Sequence, residues 1–111
     1  FTYDIQSDGS LRNRTTLSSI NGMDNIIPNG DELIVAVHPD EVKFALLSYL
    51  PAELSPCKTF SINKNTGAAK IIFSNDGSMI SGSSTALVAG NDLYLSQVFE
   101  GFVLKISNYA D

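Results

Sequence analysis

Turn signals recur along this chain at short intervals, and they constrain its fold more than any other feature. Glycine stands beside asparagine or aspartate at Asp8-Gly9, Asn21-Gly22, Asn29-Gly30, Asp76-Gly77 and Gly90-Asn91. Such pairs favour tight turns because these residue types tolerate the left-handed backbone that many hairpin turns require. The segments between them are short and rich in β-branched and aromatic residues. This spacing predicts an all-β fold built from short strands.

The pattern predicts eight or nine strands. They cover residues 1–6, 11–20, 24–28, 32–37, 58–62, 68–74, 86–88, 93–98 and 102–107. One segment differs, because apolar residues in the range 41–50 recur at three- and four-residue steps, which predicts an amphipathic helix. Asp40 is its predicted N-cap, and Pro51 is its predicted end.

Strands at this spacing are typical of sandwiches, barrels and propeller blades. A blade takes roughly 40–50 residues, so this chain has the length of about two to three blades. Such a fragment cannot close a ring, and it would leave strand edges bare. A propeller fold would therefore need a second chain to complete it.

Charge and hydropathy exclude some functions. The chain has 111 residues, with seven Lys and Arg against twelve Asp and Glu, which gives a net charge of −5. The basic residues are scattered, so nothing here would neutralise nucleic-acid phosphates. The longest apolar runs, 33–37 and 44–47, are far shorter than the roughly 20 residues that span a bilayer.

Two further features, a cysteine and a glycosylation sequon, lead to separate predictions. Cys57 is the one cysteine, so an internal disulfide is impossible, and we expect a buried structural thiol rather than a bridge to another chain. Asn13-Arg14-Thr15 is a glycosylation sequon. It either marks Asn13 as glycosylated, in a secreted or extracytoplasmic protein, or arises by chance.

Three blocks of residues, taken in order, resemble the C-terminal third of the paraoxonase family of arylesterases and lactonases. The first block is Asp24–Pro28 followed by Leu33–Val37 and His38-Pro39. The second block is Phe73–Ser84, with its Asn-Asp-Gly-Ser and Gly-Ser-Ser segments, and the third is Leu93–Phe99. None of the blocks is specific alone, so the resemblance depends on their order and compatible gaps.

The resemblance implies the C-terminal blades of a six-bladed β-propeller, with one short helix inserted after His38 and a calcium ion in the central tunnel. In that family an adjacent Asp-Asn pair, matched here by Asp24 and Asn25, binds Ca²⁺ together with a Glu and two Asn from earlier blades. Carboxylate and amide oxygens suit Ca²⁺. Successive strand residues point to opposite faces, so a shared ion requires a backbone kink, which Gly22 permits. The alternative is that the pair merely starts a strand.

The implied activity is calcium-dependent hydrolysis of lactones or aryl esters, in which the metal stabilises an oxyanion. Asp24 would also orient the attacking water, and His38 would contact substrate or assist proton transfer. The alternative for His38 is a strand-end histidine bonded to a loop carbonyl. Val98 and Phe99 match hydrophobic substrate-pocket positions, although such residues more often belong to a blade core.

The chain also departs from the family. It matches only the last third, and the family's histidine pair for water activation lies outside that part. We therefore expect a separate N-terminal chain of the same propeller as partner, with a small hydrophobic ester or lactone as substrate. The final predicted strand lacks the cysteine that closes a terminal disulfide in the animal enzymes.

The sequence is also compatible with other functions. The same propeller supports non-hydrolytic chemistry, such as a cyclase, an isomerase or a strictosidine-synthase-like enzyme, and it also supports non-catalytic binding around a structural calcium ion. Ser83-Ser84 is not an expected nucleophile because it lacks the G-x-S-x-G elbow. The predicted helix either contacts a hydrophobic substrate or a membrane, or packs its apolar face on the propeller top.

Overall fold

The computed structural model describes residues 1–50 and 53–110 of the chain. Within these ranges the chain forms strands and one short helix. The strands are β1 (Thr2–Ile5), β2 (Leu11–Thr15), β3 (Met23–Asn29), β4 (Glu32–Val37), β5 (Cys57–Asn63), β6 (Ala69–Asn75), β7 (Ser83–Ala89), β8 (Asp92–Gln97) and β9 (Leu104–Ile106). The helix α1 (Glu41–Leu47) lies between β4 and β5.

All three sheets are antiparallel, and each follows chain order. The first sheet is the hairpin β1–β2, the second is β3–β4–β5–β6, and the third is β7–β8–β9. Strand β7 packs against β3 and β4, so the second and third sheets lie face to face. The all-β prediction is confirmed. No helix in the described ranges is long and apolar enough to cross a membrane.

Two predicted elements end three or more residues early in the structure, and packing explains one of them. Strand β2 ends at Thr15 rather than at residue 20, because Leu17 and Ile20 turn inward and pack against Val35 and Val37 of β4. Helix α1 ends at Leu47 rather than at residue 50. Asp40 is its N-cap, as predicted, and accepts a hydrogen bond from the Lys43 backbone N–H at 3.0 Å. Pro51, the predicted helix end, lies outside the described residues.

The core lies on both faces of β4. On one face Ile34 is fully buried with Cys57, Ile80, Ala86, Leu93 and Leu95, between the second and third sheets. On the other face Val35 and Val37 form a second cluster with Ile62. Burial on both faces explains why the sequence of β4 is a continuous apolar run rather than an alternation of apolar and polar residues.

Cys57 is a free thiol with 0 % exposure in the first cluster, which confirms the prediction of a buried thiol. Burial raises the pKa of the Cys57 thiol, and the nearby Ser83 only partly opposes this. Because the thiolate is the reactive form, we expect a reagent such as dithionitrobenzoate to modify Cys57 only after the protein unfolds. Reaction in buffer at pH 8 is compared with reaction in concentrated urea. Equal reaction rates in buffer and in urea would contradict the burial of Cys57.

Candidate functional site

The candidate site begins at the turn before β3. Gly22 has a φ of +74°, and its carbonyl oxygen accepts a hydrogen bond from the His38 backbone N–H at 2.8 Å. A Cβ atom at this position would overlap the His38 carbonyl oxygen. Only glycine therefore lets the start of β3 approach the end of β4 this closely.

A β-bulge follows directly after this turn. Met23 pairs with Val37 but Ile26 pairs with Val35, so β3 has one more residue than β4 between these pairs. Asp24 and Asn25 occupy the irregular segment. A bulge breaks the strict alternation of side chains along a strand, and the Asn25 Nδ2 donates to Asp24 Oδ1 at 3.1 Å. The backbone thus has the kink that a shared ligand pair requires.

The Asn25 amide is anchored to the neighbouring sheet. Its Nδ2 also donates to the backbone carbonyl of Ser84 in β7, at 3.0 Å. Both partners of this nitrogen are acceptors, which assigns the orientation of the amide group. No described residue donates to Asn25 Oδ1. That oxygen keeps its lone pairs available beside the Asp24 carboxylate.

Asp24 contacts His38, the only histidine in the chain. The distance from His38 Nε2 to Asp24 Oδ2 is 3.1 Å, and the two side chains are 6 % and 34 % exposed, respectively. An ionised carboxylate only accepts hydrogen bonds, so Nε2 carries the hydrogen when Asp24 is ionised. His38 Nδ1 is buried and has no hydrogen-bond partner among the described residues. The His38 imidazole thus bonds to a carboxylate, and the bond of His38 to a loop carbonyl, that of Gly22, is made by its backbone N–H.

An aromatic side chain that the sequence did not single out covers His38. The Phe44 ring of α1 stacks on the imidazole with ring centroids 3.7 Å apart and an interplanar angle of 19°. The Phe99 ring lies 6.0 Å from that of Phe44 at 58°. The sequence contained one signal for this contact. The predicted amphipathic helix begins directly after His38-Pro39, so the inner face of the helix must pack on the end of β4.

The two predicted pocket residues lie at the surface of this chain. Val98 is 62 % exposed and Phe99 is 42 % exposed, so neither belongs to the core that this chain forms by itself. Phe99 lines a small cavity of about 70 Å³, together with Leu47, Ser81, Gln97 and Glu100. Contact of Val98 and Phe99 with substrate stays a prediction.

The sequon residue Asn13 lies in the exposed hairpin β1–β2. Its backbone has a φ of +54°, and its Nδ2 donates to Asp4 Oδ2 at 2.7 Å. The side chain is therefore at the surface but is hydrogen-bonded within the hairpin. Glycosylation of Asn13 stays a prediction.

The oxygen donors present here can make only part of a metal site. Among residues 1–50 and 53–110, no group of three or more His, Cys, Asp and Glu side chains is placed to hold a metal ion. Asp24 and Asn25 offer one carboxylate and one amide oxygen, which are ligands that Ca²⁺ accepts, but Ca²⁺ takes six to eight oxygens. A calcium ion here would need most of its ligands from elsewhere.

No protein-family model matches this chain, and no curated protein matches it.

Proposed function

We propose that this chain contributes Asp24 and Asn25 to the calcium site of a propeller hydrolase that acts on lactones or aryl esters. The observation that carries the proposal is the bulge at the start of β3. It brings two adjacent oxygen-bearing side chains together, and each is held by a separate partner, His38 for Asp24 and the Ser84 carbonyl for Asn25. A pair that merely started a strand would need no such support.

The sheet arrangement supports the propeller part of the proposal. A blade is a four-stranded antiparallel meander, and β3–β4–β5–β6 has this strand order. The next sheet repeats the order with three strands, and the first strand of each sheet contacts the other. First strands lie innermost in a propeller. The Asp24–Asn25 pair, which begins β3 and bonds to β7, would accordingly face the central tunnel.

Exposed apolar surface supports a partner chain. On the face of the second sheet that points away from β7, a cleft is lined by Phe1, Leu17, Met23, Ile26 and Leu33, among others. On the outer face of the third sheet, Leu87 and Val103 are 44 % and 62 % exposed. Large apolar patches mark interaction surfaces. We propose that an N-terminal chain of the same propeller covers both faces and supplies the remaining calcium ligands.

In this proposal each side chain of the site has a separate role. When bound, calcium supplies electrophilic stabilisation of the oxyanion that forms as water attacks the ester carbonyl. Asp24 and Asn25 Oδ1 would hold the ion. His38 is buried beneath Phe44, so its role here is to orient Asp24 through Nε2. Val98 and Phe99 would form an apolar rim for the substrate.

Calcium dependence tests the function. In the complex of this chain with its N-terminal partner, we expect a calcium chelator to abolish hydrolysis of phenyl acetate or a simple lactone, and added calcium to restore it. Magnesium, which prefers a tighter octahedral site, serves as the control ion and should not restore activity.

Two results would contradict the proposal. Hydrolysis that survives the chelator would exclude the metal role, and hydrolysis by this chain alone would exclude the shared site. A complex that binds calcium but hydrolyses neither substrate would instead favour the non-catalytic or non-hydrolytic propeller.

A further inference from the structure

Phe44 is held tightly between two parts of the chain. One face of its ring stacks on His38 at 3.7 Å. A Cβ atom built on Gly82 would lie 3.0 Å from Phe44 Cδ2 and 3.2 Å from Leu47 Cδ2, two side chains on the same face of α1. The helix therefore packs closely on Gly82 through Phe44 and Leu47, and this close packing restricts movement of the Phe44 ring.

The start of α1 is tied to His38 through the chain itself. Asp40 lies two residues after His38 and caps the helix through the Lys43 backbone N–H. The Phe44 backbone N–H also donates to the Asp40 carbonyl at 3.1 Å. These bonds set the position of Phe44 relative to the imidazole.

The imidazole itself has few polar restraints. Its Nε2 bonds to Asp24, and its Nδ1 has no hydrogen-bond partner in the described part of the chain. A single hydrogen bond opposes rotation of the ring about the Cβ–Cγ bond only weakly. The stacked Phe44 ring removes this freedom, because an aromatic stack favours one plane.

We propose that Phe44 is a positioning residue, which holds the His38 imidazole in the plane that orients the Asp24 carboxylate. Helix α1 is then part of the site rather than a cover for the end of a sheet. The role in hydrolysis rests on the proposed function, whereas the contact can be tested without it. Phe44 does not touch the reacting atoms and acts only through His38 and Asp24.

Two substitutions at Phe44 separate the aromatic face from apolar volume. Phe44→Leu keeps an apolar side chain but removes the ring, and Phe44→Tyr keeps the ring. His38 is the only histidine, so its ring protons give unambiguous NMR signals. In the wild type the Phe44 ring current should shift these signals upfield. We expect Phe44→Leu to abolish the upfield shift and Phe44→Tyr to retain it.

Gly82 allows the same contact to be disturbed by a change outside α1. Gly82→Ala places a methyl group against Phe44, and Gly90→Ala is the matched control. The two glycines have φ values of +63° and +61°, but a Cβ at Gly90 meets nothing within 4 Å. Both variants therefore share the left-handed backbone cost. Only Gly82→Ala should move the His38 signals.

Kinetics in the complex then test the role. We expect Phe44→Leu to lower kcat about 10- to 100-fold with KM little changed, since small misplacements have effects of this size, and Phe44→Tyr to restore most of kcat. Unchanged His38 signals in Phe44→Leu would overturn the contact, and an unchanged kcat would overturn the role. If the His38 signals change in Phe44→Leu but the wild-type complex hydrolyses neither substrate, the proposed function is overturned. The contact between Phe44 and His38 is then still supported.

Discussion

Replacement of Gly22 by alanine is expected to destabilise the protein by about 2–5 kcal/mol and to separate Asp24 from His38. Alanine at this position has to adopt a φ near +74°, and its Cβ would overlap the His38 carbonyl oxygen. Relief of that overlap must lengthen the bond from the His38 N–H to the Gly22 carbonyl. Urea unfolding measures the stability, and the His38 ring signals in NMR report the separation.

Two other glycines serve as controls for this prediction. Gly30 has a φ of +61° with nothing within 4 Å of a built Cβ, so Gly30→Ala should lose only about 1–2 kcal/mol, the cost of a left-handed residue. Gly67 has a φ of +75°, and its Cβ would overlap the Leu17 carbonyl oxygen. Gly67→Ala should destabilise as much as Gly22→Ala without disturbing His38. Equal stability of Gly22→Ala and Gly30→Ala would contradict the close approach.

Asp24→Asn is expected to reduce hydrolysis by the complex about 10²- to 10³-fold, the size of effect seen when an oxyanion-stabilising group is lost. The change preserves the shape of the side chain and removes the negative charge that attracts the cation. The carboxylate is partly exposed, so we expect little change in the unfolding midpoint. Activity is measured with a lactone at saturating calcium.

The matched control is Asp31→Asn, which removes one negative charge outside the site. Asp31 is 78 % exposed and contacts Lys64 at 3.2 Å, and exposed ion pairs contribute little. Asp31→Asn should therefore keep wild-type activity. Retention of full activity by Asp24→Asn would contradict the requirement for the Asp24 carboxylate at the calcium site.

The sequence predicted the elements whose signals are local. The bounds of β4 were predicted correctly because the Asn29-Gly30 turn precedes an uninterrupted apolar run, and that run is buried on both faces. The N-cap of α1 was predicted correctly because capping involves only residues within one helical turn. Such signals need no knowledge of distant packing.

The geometry of the site depends on distant contacts, and the sequence carries little signal for those. The bulge at Asp24 and Asn25 is a register shift between two strands, so it depends on which β4 residue pairs with Ile26. The stack of Phe44 on His38 depends on how α1 packs on Gly82. The early end of β2 likewise depends on a cluster that Leu17 and Ile20 join.

The most direct test of the central claim is a crystal structure of the complex grown with calcium. Anomalous scattering measured from such crystals locates the ion. We predict a calcium peak about 2.3–2.6 Å from both the Asp24 carboxylate and Asn25 Oδ1, with the other ligands supplied by the partner chain. A calcium ion bound elsewhere, or an Asn25 side chain turned away from the ion, would contradict the shared site.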